Sequence, residues 1–355
     1  MKSLTVNLPG NEYSIIIEKG IINNIGFEMK KIFNGNKIAI ITDSNVDKYY
    51  GEIVVNSLEN EGFNVKKITL EPGEKTKSIE NLVGLYDELL DFSITRGDLI
   101  ITLGGGVIGD LGGFVASTLL RGIPFVQVPT SLLAQIDSSI GGKVAVDLPR
   151  GKNLVGSFYH PKKVIIDPNV LETLEDRYLY DGMGEVIKYG CIKDKNLFDL
   201  LSGIESKEQL LSEMEPIIYT CCDIKRRVVE NDEKDTGERM VLNFGHTIGH
   251  AIEKYYKFDK YSHGEAVAIG MYLMTRIGEE QGLTAKGTSQ EIKTILKGYN
   301  LPYEVNIENM DEIIEAIGVD KKNSGQYLNL IMIKEIGNVF IEKVNKNDVK
   351  NIIVI

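Results

Sequence analysis

The chain of 355 residues carries four histidines. Three of them fall in two short polar islands, Asn243-Phe244-Gly245-His246-Thr247-Ile248-Gly249-His250 and Ser262-His263-Gly264-Glu265. Imidazole is the commonest metal ligand and the usual acid or base near neutral pH, so histidine used this sparingly and then clustered points to a site. His246 and His250 are spaced i, i+4 and share one face of a helix, and Asn243 continues that stripe one turn earlier. From spacing alone these two histidines are the natural chelating pair; a satisfied core histidine is the plainer alternative. Zinc sites that do chemistry take three protein ligands and leave a position for water or substrate. The best carboxylate is Glu185, in Asp181-Gly182-Met183-Gly184-Glu185-Val186-Ile187-Lys188. Small residues flank it and apolar ones follow, so it should point inward. The alternative is a surface pair with Lys188 at i, i+3, worth roughly a few tenths of a kcal/mol. Ser262 and Glu265 form an S-x-x-E capping box, which sets His263 in the first turn of a helix and makes Glu265 a cap rather than a ligand. His160, beside Pro161, carries no signal of its own.

Cations gather near these islands and near glycines: Lys143 in IGGK (140–143), Lys152 and Asn153 in GKNLVGSFYHP (151–161), Lys188 beside Glu185, and Lys225 and Arg239 ahead of the first island. Any one could be a solvated surface charge. Together with a divalent metal they suit a polyanionic, polyhydroxylated substrate. A second feature is glycine-rich. Residues 98–103 (DLIITL) run into Gly104-Gly105-Gly106-Val107-Ile108-Gly109-Asp110, a G-x-G-x-x-G between strand and helix. Glycines let the backbone approach a pyrophosphate, and the helix N-terminus supplies free N–H groups. The alternative is a packing turn. The layout departs from the usual dinucleotide pattern, because Arg121 stands where a ribose-binding acid would end a strand ~20 residues on. Asp43 does end an earlier strand, although an Asp before a helical run also serves as an N-cap.

These groups need rigid elements to hold them. Residues 37–42, 64–70, 98–103 and 124–128 read as buried strands, with amphipathic helices over 44–61 and 78–91. Such alternation implies a parallel sheet covered on both faces. From about residue 175 the texture turns helical, over 178–192, 206–230, 243–256, 263–282 and 288–298, until strand signals return at 327–333 and 339–344. GKNLVGSFYHP (151–161) reads as the crossing loop. The expected organisation is an α/β nucleotide-binding domain with a parallel sheet over 1–165 and a mostly α-helical metal- and substrate-binding domain over 166–355. The formal charge of −11 argues against a general nucleic-acid binder, whose basic surface would neutralise phosphates. It leaves room for a small anion held by a local cationic cluster. Three cysteines, Cys191, Cys221 and Cys222, without C-x-x-C spacing read as reduced thiols and small buried residues. No signal segment opens the chain and no apolar run reaches spanning length, so a cytoplasmic protein is expected.

The residues resemble the 3-dehydroquinate synthase family of sugar-phosphate cyclases. The resemblance runs over most of the chain: Glu74 to Lys77, GGGVIGDLGGF (104–114), Arg121-Gly122, VPTSLLAQIDSSIGGKVAVD (128–147), GKNLVGSFYHP (151–161), GEVIKYG (184–190), LNFGHTIGHAIE (242–253), SHGEAVAIGM (262–271) and Asp320-Lys321-Lys322. It implies Zn2+ or Co2+ held by Glu185, His246 and His263, and it reassigns His250 to substrate phosphate. It implies NAD at Asp43, Asn45, Glu74, Lys77, Gly105, Gly106, Val107, Ile108, Gly109, Asp110, Thr130, Ser131, Asp137, Thr173 and Leu174. Lys143, Lys152 and Asn153 match positions near nicotinamide and substrate. Lys188, Lys225, Arg239, Asn243 and one of Lys321 or Lys322 match the substrate pocket. Arg121 matches a residue that reaches the neighbouring subunit's active site, so a homodimer is implied. Glu175 stands where many members carry Pro, and Tyr178 where they carry the acid of an Arg–Glu pair.

The implied reaction turns 3-deoxy-D-arabino-heptulosonate 7-phosphate into 3-dehydroquinate and phosphate. NAD oxidises the C5 hydroxyl, phosphate leaves by β-elimination, NADH returns the hydride, and the opened ring closes by an aldol step. Three other readings compete. A sibling cyclase making deoxy-inosose from a carboxylate-free sugar phosphate is disfavoured by Arg239, the natural bidentate carboxylate partner, which does not discriminate against one making aminodehydroquinate. An iron-type polyol dehydrogenase commonly carries an acid and a histidine four apart, whereas Tyr189 follows Glu185 at that spacing. A non-catalytic nucleotide-binding module would have no use for the metal triad.

Overall fold

The computed structural model describes residues 1–235, 237–318 and 326–353. Lys321 and Lys322, expected to contact substrate, lie outside the described residues. The chain divides into two compact units, Met1–Glu175 with Leu211–Lys234, and Asp176–Leu210 with Asp235–Ile355.

The first unit is built on a seven-stranded sheet. Its strands are β1 (Lys2–Val6), β2 (Tyr13–Ile17), β3 (Lys37–Asp43), β4 (Asn64–Leu70), β5 (Leu99–Gly104), β6 (Phe125–Pro129) and, after a hairpin of β7 (Lys143–Leu148) and β8 (Gly151–Phe158), β9 (Lys163–Ile166). The order is β1-β2-β9-β6-β5-β3-β4. The pairs from β2 to β4 are parallel, and β1 alone runs antiparallel, against β2. Alternation along β3 shows why both faces are covered. Ile38 and Ile40 join one buried cluster with Val54 and Leu58, whereas Ala39 and Ile41 join another with Leu82, Leu85 and Phe114. A strand buried on both faces reads as a continuous apolar run, and KIAIIT is one.

Three strands that the pattern reading does not anticipate, β1, β2 and β9, extend this sheet. The segment 151–161, expected as a crossing loop, is mostly β8, paired antiparallel with β7 from Lys143↔Phe158 to Leu148↔Gly151. Its glycines and Lys152 imitate loop composition, yet ladder bonds to β7 satisfy the backbone. The expected helix over 206–230 is two helices, Lys207–Ser212 and Met214–Asn231. The longer one returns to the first unit, which a single boundary at 165/166 does not provide for. It packs on β1 and β2, Cys222 Sγ lies 3.3 Å from the Gln135 carbonyl, and the Asn7 amide donates to Glu230 at 2.6 Å.

The second unit is mainly helical. Its principal helices are Asp176–Lys193, Lys195–Ser202, His246–Tyr255, His263–Glu280, Thr288–Gly298 and Met310–Gly318. They are followed by an antiparallel hairpin of β10 (Tyr327–Glu335) and β11 (Asn338–Asn345). The three cysteines are buried thiols outside any disulfide. Among the described residues, no helix is long and apolar enough to cross a membrane.

Candidate active site

In the second unit, three helices converge on Glu185. The carboxylate is fully buried. Its Oε1 stands 3.3 Å from His246 Nε2 and 3.5 Å from His263 Nε2, and its Oε2 accepts from the buried ammonium of Lys188. The two residues therefore form no surface pair. Burial works against the charge on Glu185, but Lys188 and the two imidazoles hold its pKa well below the usual carboxylate range. Burial also keeps His246 well below its ordinary value, hence neutral. Burial opposes charge on His263 as well, yet Glu185 and Glu253 raise it to about 10. His246 Nδ1 lies 3.1 Å from the Phe244 carbonyl; donating there leaves the Nε2 lone pair facing Glu185.

Glu185 Oε1 is buried and makes no hydrogen bond. A buried carboxylate oxygen without a hydrogen bond is costly. One oxygen and two imidazole nitrogens lie within 4.8 Å of one another, a donor set that suits a divalent cation with one position left open. Among the described residues, no cation-sized group joins His246 to His250, although their rings meet edge to face at 5.3 Å. His246 is buried and His250 exposed, and the cation-sized group that includes His250 contains Glu253 and His263 instead. Asn243 does not continue the helical stripe either. It ends the tight turn Glu238–Asn243, and Gly245 then takes φ 80° before the helix starts at His246. That left-handed φ favours glycine. Arg239 sits in the same turn, buried.

The convergence depends on backbone contact. The Gly264 N–H donates to Asp181 Oδ1 at 2.5 Å, and a Cβ at Gly264 would fall 1.9 Å from the Asp181 carbonyl oxygen. Glu265 caps its helix, accepting from the Ser262 N–H at 2.8 Å. We expect Gly264→Ala to push the helices apart next to His263, costing at least about 1–3 kcal/mol and weakening metal retention. Gly298→Ala, where a Cβ meets nothing within 4 Å, should be neutral or stabilising by up to about 1 kcal/mol. Thermal unfolding of both variants, with and without zinc, checks this; equal melting points would show the close approach to be unimportant.

In the first unit, β5 delivers the chain into the glycine turn. Gly105 is the N-cap of the helix Gly106–Thr118, so the amides of Gly106, Val107 and Ile108 open that helix without intrahelical partners. Gly109 and Asp110 follow in the next turn, and Thr130 donates its amide to Gly104 at 3.0 Å. Beside the turn lies a charged cluster. Lys77 Nζ is 2.8 Å from Asp110 Oδ2, 3.6 Å from Glu74 and 4.0 Å from Asp147, and Lys152 is 3.6 Å from Glu74. Burial opposes the charge on Lys77, but Asp110 and Glu74 raise its pKa above the ordinary lysine value. Burial pushes Asp110 up. Asp147 accepts the Asn153 amide at 2.7 Å, holding that residue at φ 56°.

Asp43 serves as a helix N-cap, accepting from the amides of Asn45 and Val46 at 3.0 and 3.2 Å. Asp137 pairs with Lys225, whose ammonium also donates to its carbonyl at 2.6 Å. The Thr173 hydroxyl meets Tyr50 at 2.8 Å, and Ser131 stands against Gly105. Arg121, Lys143, Lys152 and Asn153 are exposed. Pattern reading passes over Asp147 because its hairpin looks like a loop. It also passes over Glu253, whose place seven residues after His246 is the signal that could have found it. His160, which carried no signal, is packed on Tyr13 with Glu233 3.0 Å from its Nε2.

Known proteins resemble the chain over nearly its whole length. The model for the 3-dehydroquinate synthase N-terminal region matches residues 67–181, and that for the 3-dehydroquinate synthase C-terminal region matches 182–323. A 3-dehydroquinate synthase of Clostridium botulinum (strain Alaska E43 / Type E3) is 62% identical over 345 residues, 97% of this chain and 99% of that protein. Among solved structures, a 2-deoxy-scyllo-inosose synthase complexed with carbaglucose-6-phosphate, NAD+ and Co2+ superposes with a TM-score of 0.86 at 23% identity, covering 99% of each chain. A 2-epi-5-epi-valiolone synthase from Streptomyces hygroscopicus subsp. jinggangensis 5008, with NAD+ and Zn2+ bound, gives 0.86 at 23% identity, covering 96% of this chain and 95% of that one. At that identity the two structures speak for the fold.

Proposed function

The chain belongs to the 3-dehydroquinate synthase family, and from that membership we infer a division of labour among its residues. It is a phosphate-eliminating cyclase that converts 3-deoxy-D-arabino-heptulosonate 7-phosphate to 3-dehydroquinate and phosphate in the shikimate pathway. When bound, NAD supplies a hydride acceptor that is regenerated within each turnover, and a divalent metal, Zn2+ or Co2+, supplies Lewis acidity toward a substrate hydroxyl.

Glu185, His246 and His263 hold the metal. The observation that carries this is the buried, unbonded Oε1 of Glu185 with an imidazole Nε2 on either side. The ionised carboxylate offsets part of the cation's charge, and Lys188 keeps it ionised. The glycine turn Gly105–Asp110, with Thr130 and Ser131, receives the dinucleotide pyrophosphate; exposed helix amides favour an anion there. Asp43, Asn45, Glu74, Lys77, Asp137, Thr173, Leu174, Lys143 and Lys152 complete the cofactor side. Lys188, Lys225, Asn153, Asn243 and His250 bind and orient the polyanionic substrate, and His250 takes its phosphate. Arg239 takes the substrate carboxylate, since a guanidinium matches it bidentately. Arg121, exposed at the end of its turn, acts across a homodimer, and the protein works in the cytosol.

The test follows from the redox balance, which is zero over the whole reaction. Phosphate release from the heptulosonate phosphate should require NAD, and substoichiometric NAD should support many turnovers. NADH accumulating mole for mole with phosphate would instead identify an ordinary dehydrogenase.

A further inference from the structure

The helix His246–Tyr255 buries an acid that neither the metal triad nor the substrate-binding cations account for. Glu253 is 6% exposed, and a buried carboxylate is costly unless it is partnered. It lies seven residues after His246 and shares its helical face. Its Oε1 stands 3.4 Å from Nδ1 of His263, while Nε2 of the same ring stands 3.5 Å from Glu185 Oε1. His263 is thus held between two carboxylates, one at each ring nitrogen. The other histidine of the triad has a matching arrangement, with the Phe244 carbonyl at Nδ1 and Glu185 at Nε2.

A neutral imidazole carries one N–H, and a metal needs the other nitrogen. The partner at the far nitrogen chooses the tautomer, orients the ring and raises its basicity. We propose that Glu253 is the positioning residue for His263: it accepts the Nδ1 proton and so presents the Nε2 lone pair to the metal. The proposal rests on the reading of Glu185, His246 and His263 as ligands. Glu253 also lies within 4.8 Å of donor atoms of His250 and His263, so direct ligation of a cation with those two is the rival that the experiment must separate.

Glu253→Ala and Glu253→Gln are compared in the full chain, with His246→Ala as reference. Zinc affinity is read by competition with a chromophoric chelator, and cobalt stoichiometry and geometry by visible absorption. The tautomer of His263 is read by two-bond nitrogen–proton correlation on zinc-loaded protein. One metal per chain is expected in wild type and in both Glu253 variants. Glu253→Ala should lose roughly 10–100-fold in zinc affinity with the cobalt band shape retained. Glu253→Gln, whose amide oxygen still accepts from Nδ1–H, should keep most of the affinity, with His263 protonated on Nδ1. Unchanged affinity in Glu253→Ala overturns the proposal, as does loss of a second cobalt equivalent in the Glu253 variants, which would make Glu253 a ligand. If Glu253→Ala fails to fold by circular dichroism, the wild-type and Gln tautomers decide, and His263 bonded to zinc through Nδ1 overturns it. Failure of the triad reading would show separately, as full metal affinity in His246→Ala.

Discussion

Alanine at Glu185, His246 or His263 should each leave the protein without tightly bound zinc and without measurable turnover. Each residue supplies one of three converging donors, and a two-donor remnant neither holds the ion nor fixes its open position. The three variants should differ in stability. Glu185→Ala strands the Lys188 ammonium, which is 1% exposed, and removing one partner of a buried pair costs roughly 3–5 kcal/mol. His263→Ala also strips a charged partner from two buried carboxylates, Glu185 and Glu253, whereas His246→Ala removes a neutral ring, so of the metal-free forms only that of His246→Ala should melt close to metal-free wild type. Metal content after dialysis, read with thermal unfolding, checks both halves. Full zinc retention in all three variants would sink the assignment. His250→Ala should keep the metal and lose turnover, because His250 is exposed and stands outside the Glu185 group; zinc loss there would restore the i, i+4 chelate that spacing alone suggests.

Arg239→Ala should weaken the heptulosonate phosphate strongly and leave a carboxylate-free sugar phosphate binding about as before. Arg239 is 3% exposed, so a carboxylate that meets it does so largely out of water. Truncating one partner of a buried, hydrogen-bonded charge pair costs roughly 2–5 kcal/mol, which is at least about 30-fold in affinity. The check is a titration of both ligands against wild type and variant, with NAD and zinc saturating. Equal weakening of both would assign Arg239 to phosphate or to structure. The preference for a carboxylated substrate would then have to come from another cation, with Lys188 and Lys225, both buried, the first to examine.

Much of the frame is legible in local pattern. The apolar runs at 37–42 and 98–103 become β3 and β5 because a strand covered on both faces has no polar side to show. Ser262 and Glu265 announce the helix that carries His263, since a capping box is a contact between residues three apart. The glycine turn is equally local. Family resemblance supplies the rest of the expected site, including the choice of His263 over His250.

Tertiary structure decides what local pattern cannot. Whether Glu185 meets Lys188 at the surface or beneath two imidazoles depends on helices that touch backbone to backbone at Gly264 and Asp181, a contact between residues far apart in sequence. His246 and His250 look equivalent on one helical stripe, but neighbouring helices bury the first and leave the second exposed. The hairpin of β7 and β8 hides behind glycines and lysines, since ladder partners rather than composition satisfy its backbone. Spacing puts Glu253 on the face of His246, but only packing sets it beside His263. Periodicity fixes which residues share a face; long-range packing fixes what that face meets, and here it brings Glu185, His246 and His263 together.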